Sequence, residues 1–189
     1  MPPVYIPNFV SGTVGTYLRD VPWERHTATR SECFMAPGKP YEYTYGSGRG
    51  VRSYWSVPFA AGVDVLMGTL NSYLGENPWL GKYPGWGPMT GCFLNRYDDN
   101  KEFLGFHADN FVGMDHTKCV AVVSFGEPRE IWWRENDVKG DVPLANRQLL
   151  GNGSLFLMPP GMQHTHQHRI PKGDRTMGPR VSLTYRAFK

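Results

Sequence analysis

The feature that most constrains the fold is a run of short segments after Pro88 that are rich in β-branched and aromatic residues. The segments are GCFLNRY, KCVAVVSFG, REIWWRE, GSLFLMP, THQHRIP and RVSLTYRAF. Clusters of Gly, Pro, Asp and Asn separate them, and the whole chain carries 22 Gly and 16 Pro. Short strands with turn residues between them are typical of a β-sandwich or barrel. We therefore predict a mainly β architecture of the α+β type rather than an α/β fold or a helical bundle.

The part of the chain before Pro88 predicts helices and a loop or hairpin region. Apolar residues recur at three- and four-residue steps between residues 62 and 74, as on one face of an amphipathic helix. These residues are Val63, Leu66, Leu70 and Leu74. A shorter helix is predicted over residues 11–19, which precede a proline. Residues 31–58 are rich in Gly, Tyr and Arg and predict hairpins or a loop that carries aromatic side chains.

Length and composition predict one soluble globular domain. The chain has 189 residues, a length that is enough to bury a core. Hydrophobic residues make up 40% and charged residues 20%, as in ordinary soluble proteins. No apolar run approaches the ~20 residues that cross a bilayer, and the first residues do not resemble a signal peptide. Three cysteines without a CxxC spacing favour neither a disulfide framework nor a cysteine-rich zinc site. We expect a cytoplasmic protein without a membrane partner, and the net charge of +3 does not discriminate among function classes.

A candidate metal site begins with His107 and Asp109, which stand two positions apart in LGFHADN. On an extended strand both side chains emerge on one face. A further ligand from a distant strand would complete the two-His, one-carboxylate triad of non-haem Fe(II). His164, His166 and His168 alternate near the C-terminus. They could form a three-histidine cluster, supply one ligand beside two bystanders, or belong to an ordinary strand.

A polar strand face near the C-terminus offers anion-binding groups. It carries Arg180, Ser182, Thr184 and Arg186. A guanidinium matches a carboxylate bidentately and stays charged, so this face could hold a dicarboxylate beside the metal. Alternatively, it is a terminal strand whose arginines lie in solvent. Asn95 and Tyr97 share a face ahead of the metal motif and could donate hydrogen bonds to the same carboxylates, or serve as ordinary strand residues.

Taken in order, these motifs resemble the AlkB-like Fe(II)/2-oxoglutarate-dependent dioxygenase family. The order is NRY, HAD, VVSFGEPREIWWR, GSLFLMPPGMQHTHQHRIP and RVSLTYR. The opening VYIPNFVSGTVGTYLRDVPW is similar to the family's entry segment, and TRSECFMA followed by YEYTYGSG is similar to its substrate-covering lid. The resemblance implies a double-stranded β-helix (jelly roll) in a single domain over residues 1–189. Residues 1–87 would form the N-terminal helices and the lid, and residues 88–189 the metal-binding core.

The resemblance also implies a ligand set and co-substrates. The catalytic metal ligands would be His107, Asp109 and His168. His168 is chosen because the family's late histidine stands before an Ile-Pro step and ahead of the first arginine; His164 and His166 become bystanders or substrate-side groups. The residues implied around 2-oxoglutarate are Asn95, Tyr97, Arg180, Ser182 and Arg186, with Ser182 standing where the family has Asn. Iron(II), 2-oxoglutarate and O2 are the implied cofactor and co-substrates.

The implied substrate is an alkylated or otherwise modified nucleobase in DNA or RNA, which is demethylated or hydroxylated. A base must leave its stack to reach the metal, and His107 with Tyr43 and Tyr45 would form the flat walls around it. Phe111 stands where base-repairing members carry an acidic residue. Basic residues that could meet phosphates are Arg30, Arg49, Arg52, Lys101 and Arg134.

Two other functions remain open from the sequence. The same oxygenase chemistry could hydroxylate a small metabolite, a free nucleotide or a protein side chain. A different class is a non-enzymatic nucleic-acid-binding β-domain whose histidines bind no iron. If the chain is instead a dioxygenase of modified nucleobases, we expect it to be a monomer whose partner is nucleic acid. Trp132 and Trp133 point to opposite faces of a predicted strand, so at least one is expected in the core.

Overall fold

The fold is built mainly from antiparallel strands. The computed structural model describes residues 1–38, 40, 42–45, 52–77, 85–109 and 113–189; of the side chains of Leu18, Tyr43 and Tyr45 it describes nothing. The strands are β1 (Val4–Ile6), β2 (Glu24–Thr27), β3 (Arg30–Met35), β4 (Glu42–Tyr45), β5 (Arg52–Trp55), β6 (Gly91–Tyr97), β7 (Leu104–His107), β8 (Val120–Gly126), β9 (Arg129–Glu135), β10 (Arg147–Leu150), β11 (Ser154–Met158), β12 (His166–Ile170) and β13 (Arg180–Arg186). The helices are α1 (Val14–Asp20), α2 (Ala61–Glu76) and α3 (Met162–Thr165), with a 3₁₀ turn at Leu144–Asn146.

Two sheets form a sandwich. The larger has seven strands in the order β1-β11-β8-β13-β6-β3-β2, and the smaller has four in the order β10-β9-β12-β7. Phe93, Val122 and Phe156 of the larger sheet pack in one cluster with Ile131 and Ile170 of the smaller one. Every predicted strand after Pro88 is present, which confirms the mainly β, jelly-roll prediction.

Helix α2 covers the other face of the seven-stranded sheet. Its apolar stripe is buried as predicted, at Val63, Leu66, Leu70 and Leu74. That stripe packs in one cluster with Leu94 and Leu183 of the sheet, and the Tyr185 hydroxyl donates to the Val63 carbonyl at 2.9 Å. Helix α1 is shorter than the predicted 11–19 segment, because Thr13 is extended (φ −120°, ψ 146°) and the helix begins at Val14.

The 31–58 stretch divides into a core strand and a hairpin. All six residues of β3 are buried, because its side chains alternate between the two core clusters, with Phe34 facing the smaller sheet and Met35 facing α2. The segment TRSECFMA therefore contributes β3 to the seven-stranded sheet, and its assignment to a covering lid stays a prediction. The two-stranded β4–β5 hairpin is the part of this stretch that stays outside both large sheets.

The histidine-rich segment is not one continuous strand. Gly161 adopts a left-handed conformation (φ 79°), α3 follows, and β12 starts only at His166. His164 therefore lies on the short helix, which rules out the alternative that places all three histidines on one strand. The two tryptophans of β9 point to opposite faces, as predicted. Trp133 packs against Phe156 in the core, while Trp132 faces outward. Across the described ranges, we find no helix long and apolar enough to cross a membrane.

Candidate metal centre

Two neighbouring strands bring the predicted ligands together. His107 ends β7 and His168 lies in β12, and the two are directly paired across the antiparallel ladder. Their ring centroids are 4.2 Å apart, and His107 Nε2 lies 3.6 Å from Asp109 Oδ1. One ligand atom from each of His107, Asp109 and His168 lies within 4.8 Å of the other two. Three donors at this separation can share one metal ion.

Backbone and amide contacts orient the ligands. His107 Nδ1 lies 2.9 Å from the Gly105 carbonyl, so the tautomer with a proton on Nδ1 donates there and leaves the Nε2 lone pair for a metal. The Asp109 backbone N–H donates to Gln163 Oε1 on α3 at 2.9 Å. Sequence reasoning missed Gln163, which stands 54 residues from Asp109 and has no motif of its own.

The charge states of the three groups suit a divalent metal. Burial would raise the pKa of Asp109, but Arg186 and the two histidines outweigh it and hold that pKa at about 2. Arg186 forks onto the carboxylate, with Nε 3.1 Å from Oδ2 and Nη2 2.8 Å from Oδ1. Burial, reinforced by His107, lowers the pKa of His168 to about 3, and burial also lowers the pKa of His107. Two neutral imidazoles and one carboxylate are the donor set of a facial Fe(II) triad, so these residues fit iron.

Arg180 provides a buried cation with spare donors. Its side chain is buried and its Nη2 donates to Ser124 Oγ at 2.9 Å, while Nε and Nη1 meet no acceptor at hydrogen-bonding geometry in the described part of the chain. Burial lowers its pKa to about 10 and Tyr97 opposes that shift, so the guanidinium stays charged at neutral pH. A buried cation with unused donors fits a carboxylate. The alternative of solvent-exposed arginines on β13 was wrong, because every residue of that strand is buried.

The other predicted co-substrate residues lie around the same strands. Tyr97 is buried beside Arg180, whose guanidinium carbon is 5.4 Å from the ring centroid. Ser182 is buried and pairs in register with Asn95 on β6 and Ser124 on β8. Asn95 lines a cavity with His107, Asp109 and Arg186. The predicted set therefore converges on the strands next to the triad.

Arg30 lies in the wall of the cavity that contains the triad, with its charge already paired. It is 5% exposed, and its guanidinium forms an ion pair with Glu32 and donates from Nε to Asn95 Oδ1 at 2.9 Å. Arg30 therefore lines the cavity in which a substrate would bind, and its role as a substrate contact stays a prediction. Glu32 is 0% exposed, accepts from the Tyr54 hydroxyl at 2.7 Å and lines the same cavity as the triad. Sequence reasoning missed Glu32, although a lone acid two positions after Arg30 in a buried strand was its signal.

Several predicted residues have no described role at this site. Phe111 and Arg49 lie outside the described residues, as do the side chains of Tyr43 and Tyr45. His164 is exposed, and His166 is half-buried with Nδ1 2.7 Å from Thr165 Oγ1. Neither belongs to the three-residue ligand group.

Comparison with known proteins identifies the family. Residues 16–186 match the model of the 2OG-Fe(II) oxygenase superfamily. The mouse DNA oxidative demethylase ALKBH2 is 34% identical over 97 residues, which are 49% of this chain and 41% of that protein. Human alpha-ketoglutarate-dependent dioxygenase alkB homolog 3 is 25% identical over 182 residues, which are 89% of this chain and 58% of that protein.

A solved structure extends the comparison to the fold. OsALKBH1 superposes with a TM-score of 0.63 at 14% identity, covering 97% of this chain and 96% of that one. The chain spans only 41% and 58% of the lengths of the two curated relatives above. The matched family model covers nearly the whole chain, and the chain belongs to the 2OG-Fe(II) oxygenase superfamily, with AlkB-like relatives.

Proposed function

We propose that this chain is an Fe(II)/2-oxoglutarate-dependent dioxygenase that demethylates or hydroxylates modified nucleobases in DNA or RNA. The observation that carries the proposal is the convergence of His107, Asp109 and His168 within 4.8 Å. Their charge states supply two neutral imidazoles and one carboxylate. The relative named DNA oxidative demethylase ALKBH2 supports the substrate class.

Each residue of the site has an assigned task in the proposed enzyme. His107, Asp109 and His168 would hold Fe(II), and Arg186 keeps Asp109 ionised and oriented through its two-point contact. Arg180 would bind the distal carboxylate of 2-oxoglutarate with its spare Nε and Nη1 donors. Iron with 2-oxoglutarate and O2 would supply the oxidising power: one oxygen atom enters succinate as CO2 leaves, and the other enters a substrate C–H bond. Hydroxylation of an N-methyl group gives a hemiaminal that releases formaldehyde.

The cavity supports a flat substrate. His107 and Phe93 present rings to it, and a base must be unstacked before it can enter. Glu32 brings a buried carboxylate to the cavity wall from β3. That carboxylate is already paired with Arg30, so the pair adds polarity to the wall without net charge. Burial keeps water away from the reacting groups.

The test adds Fe(II) and then 2-oxoglutarate to the protein without O2. The measurement is visible absorption, which records the weak charge-transfer band of the chelate. We expect the band in the unaltered protein, its loss in His168→Ala and its weakening in Arg180→Ala. His164→Ala and Arg175→Ala are the matched controls, because both side chains are exposed and lie outside the ligand group. A band of equal strength in His168→Ala would refute the ligand assignment.

Substrate class is tested by adding O2 and assaying succinate and formaldehyde with a pool of methylated oligonucleotides. We expect both products to rise with the pool and to stay low with unmethylated strands. A band without any stimulation by the pool would leave the oxygenase in place and refute the nucleobase assignment.

A further inference from the structure

The outer face of the four-stranded sheet carries an unusual row of arginines and aromatic rings. Its members are Arg147 on β10, Trp132 and Arg134 on β9, Arg169 on β12 and Phe106 on β7, and we call this set the arginine–aromatic ladder. Trp132 is the direct cross-strand partner of both Arg147 and Arg169. His168 faces the candidate metal, and its neighbour Arg169 faces the ladder, so one sheet separates the two features.

Each guanidinium group of the ladder lies over at least one aromatic ring. The carbons of Arg147 and Arg169 lie 4.0 and 4.2 Å from the centroid of Trp132. Those of Arg134 and Arg169 lie 3.8 and 5.0 Å from the centroid of Phe106. Arg169 therefore shares a ring with each of the other two arginines, and the three cations form one continuous row.

The ladder holds positive charge that the described residues do not balance. Arg25, Arg30, Arg96, Arg175 and Arg186 each form an ion pair with a carboxylate. Within the described ranges, no such pair forms at Arg134, Arg147 or Arg169, and the Nε atoms of Arg134 and Arg169 find no acceptor there. The carboxylate of Glu130 accepts instead from Trp132 Nε1 at 2.7 Å. Like charges held this close repel each other, and an anion placed between them would relieve the repulsion.

A groove lies beside the ladder and shares one lining residue with the metal cavity. Trp132, Arg147 and Arg169 line it, together with Lys172 from the loop after β12. Leu104 lines both this groove and the cavity that contains the triad. Strand β7 is the edge of its sheet, so a bound polymer can pass around that edge from the outer face to the metal side.

We propose that the arginine–aromatic ladder and its groove bind the phosphate backbone of a single-stranded nucleic acid and direct that strand around β7 to the metal site. This inference rests on the nucleic-acid substrate class proposed above. The ladder rings are already covered by guanidinium groups, so the contact to phosphate is made by guanidinium N–H groups rather than by base stacking. At Arg147 the Nε and Nη2 atoms donate to the Val142 carbonyl, which leaves Nη1 for the phosphate. Such binding is independent of sequence and positions the strand without selecting the base.

The test measures binding of a 5′-fluorescein-labelled dT12 strand by fluorescence anisotropy over a salt series, with the full chain loaded with Fe(II) and 2-oxoglutarate without O2. The variant Arg147→Gln/Arg169→Gln removes two phosphate contacts. We expect the negative slope of log K against log salt to become shallower by about 1.4, because each phosphate contact to a single strand contributes about 0.7 to its steepness. At 0.1 M salt the same term predicts affinity lower by roughly 25-fold.

Matched variants separate the ladder from net charge and from folding. Arg19→Gln/Arg96→Gln removes the same charge from α1 and β6, away from the ladder, and we expect it to leave the slope unchanged. Arg147→Lys/Arg169→Lys keeps the charge and loses the planar fork, so the slope should persist with affinity reduced several-fold. If circular dichroism shows the Gln pair unfolded, Arg134→Gln replaces it with an expected slope change of about 0.7.

The outcomes distinguish this inference from the function on which it rests. If the ladder double variant and the control double variant weaken strand binding equally while the charge-transfer band is intact, the ladder proposal is overturned and the oxygenase assignment stands. If the charge-transfer band is absent but Arg147→Gln/Arg169→Gln weakens binding as expected, the oxygenase assignment is overturned and the ladder proposal stands. Displacement of the labelled strand by poly-glutamate at lower concentration than by unlabelled dT12 would assign the surface to an acidic protein and overturn the proposal.

Discussion

At the residue scale, the site is organised by buried ion pairs. Asp109 and Arg186 are 1% and 4% exposed, and Arg30 and Glu32 are 5% and 0% exposed. Taking such groups from water is costly, so each charge depends on its partner and on further hydrogen bonds. The first pair fixes a metal ligand, and the second forms part of the wall of the same cavity. Loss of one member therefore affects both stability and the shape of the site.

Replacing Arg30 tests this dependence. Arg30→Met leaves the Glu32 carboxylate buried with only the Tyr54 hydroxyl as a polar partner among the contacts described above. We expect the free energy of unfolding to fall by about 3–5 kcal/mol, as for other buried pairs broken on one side. Urea denaturation followed by tryptophan fluorescence measures the change.

The exposed pair of Arg175 and Glu127 is the control. The Arg175 side chain is 63% exposed, and its removal should cost less than about 1 kcal/mol. The double variant Arg30→Met/Glu32→Leu should recover part of the loss, because no charge is then left alone. Equal costs for Arg30→Met and Arg175→Met would contradict the role given to burial.

The cysteines give a second prediction at this scale. Burial raises the pKa of Cys33 and of Cys119 to about 12 and raises that of Cys92 as well. Because a raised pKa keeps the thiol protonated, almost no thiolate is present at pH 8. We expect the folded protein to react with a thiol-specific chromogenic disulfide at less than one-hundredth of the rate of the urea-unfolded chain, which should then titrate all three thiols. Fast reaction of any native thiol would show that it is accessible.

At the element scale, local periodicity was predictable and tertiary context was not. The stripe of α2 repeats at the helical period, and the helix extends beyond the predicted 62–74 at both ends, over Ala61–Glu76. The break before β12 depends on Gly161 in a left-handed turn, which alternating histidines do not reveal. β3 was not predicted as a strand of the sheet, because its polar residues, Arg30 and Glu32, satisfy each other only in the folded state. A strand that buries a charge pair looks like a loop in sequence.

Helix α2 supplies the prediction for this scale. Leu70 is 0% exposed and packs on the seven-stranded sheet, so Leu70→Ala should lower the free energy of unfolding by about 2–5 kcal/mol. Val65 lies on the same helix but is 70% exposed, and Val65→Ala should leave stability unchanged or slightly raised, since Ala favours helix over Val. Chemical denaturation of both variants measures the difference. Similar costs at the two positions would mean that the helix does not bury the assigned face.

At the scale of the whole molecule, the four-stranded sheet serves two surfaces at once. Its inner face holds His107 and His168, and its outer face holds the arginine–aromatic ladder. The His-x-Asp spacing and the late histidine predicted the ligands because each motif is local. Gln163 and Glu32 escaped prediction because they reach the site from distant parts of the chain through sheet pairing and α3. Local chemistry can be read from the sequence, whereas the supporting contacts depend on the register of the sandwich.

Metal binding should stabilise the whole fold, because the ligands come together only when the two strands pair. Mn(II), which takes similar ligands without oxidising in air, is the probe. At 100 times its dissociation constant it should add about 2.7 kcal/mol to the free energy of unfolding, or about 5–10 °C in Tm for a chain of this size. Differential scanning calorimetry should show the rise in the unaltered protein and in His164→Ala, its reversal by EDTA, and its loss in His168→Ala. A shift of the same size in His168→Ala would place the ion elsewhere in the molecule.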